Sequence, residues 1–164
     1  MSDKMMKYFY LACLSLLFFA PVSVKANGEG PYRDGDFPKA FELFTPQAKD
    51  GVAEAQYYIG LMYAKGQAVP QDASAAVEWY QKAANQGHAL AQNNLGYMYG
   101  QGAGVTRSFV NAHMWYSLAA AAGNVLSREN RDLIALKMTT GQISKSQSQA
   151  RDWMSKHNAM AKQN

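Results

Sequence analysis

Gly100-Gln101-Gly102-Ala103-Gly104-Val105 places three glycines at alternate positions, a density at which backbone can wrap a phosphate. A phosphate cradle follows a strand and opens a helix within a βαβ unit. This run instead joins two helical patterns and corresponds to Ala64-Lys65-Gly66-Gln67-Ala68-Val69 earlier in the chain, so a turn is expected. His88, His113 and His157 have no ligand spacing, and a metal site is not expected. Asp72, Glu78 and the other carboxylates are dispersed, with no pair suited to acid–base work. Ser-x-x-Lys, the serine–lysine nucleophile of β-lactam enzymes, does not occur. The one cysteine is Cys13. No catalytic residue, metal or cofactor follows from these patterns.

The chemistry that does recur is aromatic, and it recurs with a fixed period. Ala53–His88 aligns without a gap on Ala89–Asn124, with 14 of 36 positions identical. Such a period signals stacked helical hairpins, since one hairpin cannot bury its own apolar face. The fold expected is therefore all-α, a solenoid of stacked helical hairpins. In the first helix of each repeat, Gln56, Ile59, Gly60 and Tyr63 form one helical stripe, matched by Gln92, Leu95, Gly96 and Tyr99. A mid-helix glycine costs about 1 kcal/mol against alanine. Its recurrence as Gly60 and Gly96 implies a close backbone approach by the paired helix. Gly66 and Gly102 end these helices. Asp72 and Ser108 are placed to cap the second helices, which Gly87 and Gly123 close. Repeated aromatics at helical spacing fill interiors, so Gly60, Tyr63, Trp79, Tyr80, Gly96, Tyr99, Trp115 and Tyr116 are assigned to the repeat core.

Positions that differ between the copies are the better binding candidates. Glu54, Tyr57, Leu61 and Lys65 form a second stripe on the first helix, with Leu90, Asn93, Tyr97 and Gln101 as counterparts. First helices of stacked hairpins line a concave surface where extended ligands bind. A solvated face with incidental tyrosines fits the same stripe equally well.

The flanks divide into further segments. Lys4 and Lys7, the apolar run Tyr8–Ala20 and the small residues of Val24-Lys25-Ala26 make residues 1–26 an export signal, cleaved after about Ala26. A membrane anchor would need roughly 20 apolar residues, and Pro21 ends this run early. Cys13 sits within the run rather than at its end, which argues against a lipid anchor. Residues 27–35 read as a flexible lead-in, and 36–52 as a half-repeat helix kinked at Thr45-Pro46. Repeats occupy 53–88 and 89–124; after Gly123 the period is lost, and 125–158 read as two capping helices before a tail at 159–164. Residues 27–88 carry net charge −3 and 89–164 carry +5. A two-signed surface makes nucleic acid a poor partner. Past the signal, no run is long enough for stable membrane insertion.

The motifs Ala53-Glu54-Ala55-Gln56, Ile59-Gly60-Leu61-Met62-Tyr63, Val69-Pro70-Gln71-Asp72, Trp79-Tyr80 and Lys82-Ala83-Ala84 resemble the Sel1-like repeat family, a relative of the tetratricopeptide repeat. They return as Ala91-Gln92, Leu95-Gly96-Tyr97-Met98-Tyr99, Trp115-Tyr116 and Ala119-Ala120, and the segment from Asn130 to Thr139 resembles the tail of exported bacterial members. Gln67-Ala68 and Thr106-Arg107-Ser108 depart from the family's loop pattern. The resemblance implies a non-enzymatic adaptor that binds a protein or peptide, here periplasmic or secreted. Two alternatives remain beside it: an envelope hydrolase acting on β-lactams or peptidoglycan, and a purely structural subunit of an envelope complex. Family members linked to β-lactams are cysteine-rich, unlike this chain once the signal is removed.

Overall fold

The computed structural model describes residues 27–161, so the expected export signal at 1–26 lies outside the described residues. Among the described residues there are eight helices and no strand: α1 Glu29–Arg33, α2 Phe37–Lys49, α3 Ala53–Lys65, α4 Ala73–Asn85, α5 Ala89–Gln101, α6 Phe109–Ala121, α7 Val125–Ala135 and α8 Thr140–Ala161. Each of α2 to α6 packs on the next, and α7 and α8 both pack on α6. This is the expected all-α stack of hairpins, with α3–α4 and α5–α6 as its repeated units.

The caps follow from the residues that occupy them. Asp72 accepts from the Ala75 amide at 2.9 Å and Ser108 from the Asn111 amide at 3.2 Å, starting α4 and α6. His88 Nδ1 accepts from the Ala91 amide at 3.1 Å and caps α5. Asn124, 36 residues on, caps α7 by accepting from the Ser127 amide at 2.9 Å. Gly66 and Gly102 terminate α3 and α5 in the left-handed conformation.

One loop position departs from that economy. Gly104 has φ +68°, and its counterpart Ala68 adopts φ +63°. A left-handed conformation costs a residue with a Cβ about 1–2 kcal/mol. Ala68→Gly is therefore expected to raise stability by about 0.5–1 kcal/mol, after allowing for glycine's extra freedom in the unfolded chain. A urea midpoint below that of the parent chain would contradict this.

The repeated glycines have a different cause from the one expected. A Cβ at Gly60 would fall 2.7 Å from Tyr80 Cδ1, and one at Gly96 would fall 2.8 Å from Tyr116 Cδ1. The paired helix approaches through its tyrosine ring rather than its backbone. Each Gly–Tyr pair is one joint between the two helices of a hairpin, so both partners repeat together. The repeated glutamines are joints between hairpins. Gln56 Nε2 donates to the Ala48 carbonyl and Gln92 Nε2 to the Ala84 carbonyl, both at 3.1 Å. Each buried amide satisfies a carbonyl near the C-terminal end of the preceding helix, where intrahelical donors run out.

Several expectations are corrected. Residues 27–35 are not a flexible lead-in: α1 forms there, Gly28 lies against the Phe44 ring, and Tyr32 packs edge-on to Phe37 at 5.4 Å and tilted over Tyr58 at 4.9 Å. The half-repeat at 36–52 thus has a short partner helix. Pro46, where the kink is expected, lies inside α2, with Thr45 Oγ1 donating to the Phe41 carbonyl at 2.6 Å. Gly60, Tyr80, Gly96, Trp115 and Tyr116 are buried as assigned, but Tyr63, Trp79 and Tyr99 are only half-buried. Lys82 Nζ stands 4.0 Å from the Trp79 ring centre, covering its outer face as a cation–π contact.

The C-terminal pair is tied in by polar contacts. Ser127 Oγ donates to Asn93 Oδ1 at 2.9 Å, fastening α7 to α5. His113 Nδ1 and Ser146 Oγ meet at 2.6 Å in a buried bond between α6 and α8, and burial lowers the His113 pKa. Trp153 of α8 meets Trp115 edge-on at 6.4 Å and stacks on His157 at 4.6 Å. The described part of the tail expected at 159–164 continues α8 as far as Ala161.

Candidate peptide-binding face

α3, α5 and α7 occupy equivalent places, and two grooves open between them. The first, of about 470 Å³, is lined by Leu61, Ala64, Lys65, Gln71, Ala73, Tyr80, Asn94, Tyr97, Met98 and Ala103. The second, of about 440 Å³, is lined by Tyr97, Gly100, Gln101, Phe109, Tyr116, Asn130, Leu133, Ile134, Leu136 and Lys137. The second is largely the first displaced by 36 residues: Leu61, Lys65, Ala73, Tyr80, Asn94 and Tyr97 become Tyr97, Gln101, Phe109, Tyr116, Asn130 and Leu133. The stack has duplicated a groove along with its core, and Tyr97 is the wall the two copies share.

The composition of each groove follows from the joints beneath it. Tyr80 and Tyr116, pinned against Gly60 and Gly96, form part of the lining. Burial raises the pKa of both phenols, to about 12 for Tyr116, where Tyr97 adds to the shift, so both stay protonated at neutral pH. Asn94 and Asn130 supply amides that can both donate and accept. Leu61, Tyr97, Leu133 and Leu136 give apolar walls, with Tyr97 55%, Leu133 61% and Leu136 84% exposed. Lys65 and Lys137 bring the only charged side chains, and no carboxylate lines either groove.

The stripe read from sequence divides across this face. Leu61, Lys65, Tyr97 and Gln101 line the grooves. Leu90 is exposed on α5, one turn-pair before Tyr97. Glu54 and Tyr57 are engaged within the chain: His88 Nε2 bonds Glu54 Oε2 at 2.8 Å, and Tyr57 stacks on the His88 ring at 4.8 Å. With Nδ1 accepting from the Ala91 amide, Nε2 is the nitrogen that carries the proton toward Glu54. Burial also pushes the Tyr57 phenol up to about 12. Asn93 is engaged too, accepting from Ser127 Oγ at 2.9 Å and Asn130 Nδ2 at 3.3 Å. These three make contacts that join adjoining hairpins.

Asn130, Leu133 and Lys137 were missed because the period was taken to stop at Gly123. It persists in α7 in a weaker form. Ser127 follows Ala55 and Ala91, all three fully buried, and Asn130 follows Asn94. Leu126 and Leu133 stand 36 residues after Leu90 and Tyr97, and all four are exposed. Among the described residues no group of His, Cys, Asp and Glu is placed to hold a metal ion, and no helix is long and apolar enough to cross a membrane.

Stacked two-helix units with a duplicated groove define an α-helical repeat protein. The chain belongs to the Sel1 repeat family, whose model matches residues 25–51, 53–88, 89–124 and 139–156. The matched segments at both ends agree with the partnered N-terminal half-repeat and with the packing of α8 on α6. Among solved structures it is similar to a protective antigen present in uropathogenic Escherichia coli strains that displays an SLR fold, at 31% identity and a TM-score of 0.77. That match covers 82% of this chain but only 30% of the antigen's length. It is also similar to a Sel1 repeat protein from Oxalobacter formigenes, at 34% identity and a TM-score of 0.57, covering 62% of this chain and 80% of that one. No curated protein matches.

Proposed function

We propose that this chain is an exported scaffold, periplasmic or secreted, that binds a protein or peptide along the face formed by α3, α5 and α7. The observation that carries the reading is the set of apolar residues Leu90 and Tyr97 on α5 and Leu126 and Leu133 on α7, all exposed and related by the repeat spacing. Soluble monomers seldom expose contiguous apolar surface without a use for it. Repeat stacks commonly use such a face for extended ligands. Export is supported by the sequence of residues 1–26. A binding role needs no catalytic group, and the dispersed carboxylates and histidines offer no convergent set for hydrolysis.

The experiment is site-specific crosslinking in a Gram-negative host, with the full chain carrying a photo-reactive residue in place of Tyr97 or, as a control, of the exposed Glu78 on α4. The product is expected outside the cytoplasm with a mass starting at Asn27, joined to a second protein through position 97 and not through position 78. A cytoplasmic product retaining Met1–Ala26 would overturn the export reading. Equal crosslinking at both positions would overturn the binding face.

A further inference from the structure

We infer that the doubled groove takes an extended, acidic-apolar segment of a partner protein, with one apolar side chain on each side of the Tyr97 ring and a carboxylate beyond each, met by Lys65 and Lys137. This rests on the proposed binding face and adds the chemistry of what lies in it. A ligand that fills both grooves must pass over their shared wall. Each groove offers apolar walls and one asparagine amide, so each accepts an apolar side chain and can bond the backbone beside it through Asn94 or Asn130.

Charge decides the flanks. Lys65 borders the first groove and Lys137 the second, while the equivalent position at the shared boundary is the neutral Gln101. Neither lysine pairs with a carboxylate among the described residues. The remaining lining is neutral, so the face is positive at its two ends and neutral in the middle. A basic segment would be repelled at both ends, and Lys4 and Lys7 make the chain's own first residues a poor occupant on this ground. A second copy of the chain would have to present carboxylates from its acidic part, residues 27–88, and association of copies is one outcome of the test.

The test uses fluorescein-labelled twelve-residue peptides on a glycine–serine background. Each holds two leucines separated by one to six residues and is flanked by two aspartates, two serines or two lysines. Binding to the purified chain is read by fluorescence anisotropy, with its mass in solution followed by light scattering. One leucine spacing should be preferred, and at that spacing aspartate flanks should bind about tenfold tighter than lysine flanks, a margin that two exposed ion pairs can supply. The margin should shrink at high salt. The double variant Lys65→Glu, Lys137→Glu, altered only at exposed side chains, should reverse the order of flanks, and Tyr97→Ala should lose binding to every peptide. Binding that depends on Tyr97 but is indifferent to the flanks would overturn the acidic class and leave the binding face standing. No binding by any peptide, or a concentration-dependent dimer abolished by Tyr97→Ala, would overturn the inference itself. Crosslinking through position 97 separates that failure from failure of the face.

Discussion

Trp115→Ala is expected to cost about 3–5 kcal/mol, the range for removing a large buried aromatic. Trp115 is 5% exposed in the C-terminal core and supports Trp153 of α8 edge-on at 6.4 Å. Its removal empties a cavity and withdraws a contact of α8 at once, and in a linear stack such a loss reaches the neighbouring unit. Typical domains hold only about 5–15 kcal/mol in all, so the variant should unfold at much lower urea. Trp79 occupies the same place in the first repeat but is half-buried, under the Lys82 side chain rather than another aromatic. Trp79→Ala should cost about 1–2 kcal/mol, nearer the common range for point changes. Urea melts of both variants decide: similar midpoint shifts would mean that the two tryptophans are equally buried, against the packing described.

The difference between these tryptophans marks where the sequence stops being informative. Periodicity gives the spacing of side chains, and identity between copies says that a position does the same job twice. Gly60, Gly96, Tyr80 and Tyr116 satisfy both conditions and are buried. Trp79 and Trp115 satisfy both and still differ, because each meets a different neighbour: the small N-terminal cluster in one case, α8 in the other. The same limit hid the role of Asn93. A polar residue on an outward stripe looks free until Ser127 and Asn130 are brought against it from α7. Conversely, the second groove was within reach of the sequence. Adding the repeat length to Asn94, Tyr97 and Gln101 gives Asn130, Leu133 and Lys137, but Asp132 and Ala135 stand where Gly96 and Tyr99 would recur. With the glycine–tyrosine signature gone, the surface stripe outlived the core pattern by which the repeat had been recognised.

Gly96→Ala and Gly60→Ala should each destabilise the chain, although helix propensity alone forecasts a gain of about 1 kcal/mol. The added methyl would lie 2.8 Å from Cδ1 and Cε1 of Tyr116 in one case, and 2.7 Å from Tyr80 Cδ1 in the other. Both rings are closely packed, Tyr80 at 2% and Tyr116 at 5% exposed, so making room for the methyl disturbs their neighbours. Overpacking of this kind costs about 1–3 kcal/mol, and after the propensity gain a net loss of about 1–2 kcal/mol is expected. The cause can be isolated by a double-mutant cycle. In a Tyr116→Ala background the obstructing ring is absent, so Gly96→Ala should become stabilising by about 1 kcal/mol, its sign reversed. Tyr116→Ala is itself costly, so the cycle is best read from thermal midpoints of the two alanine-116 chains compared with each other. If Gly96→Ala stabilised the parent chain as well, the close approach would not be real. The repeated glycine would then owe its place to something other than the tyrosine beside it.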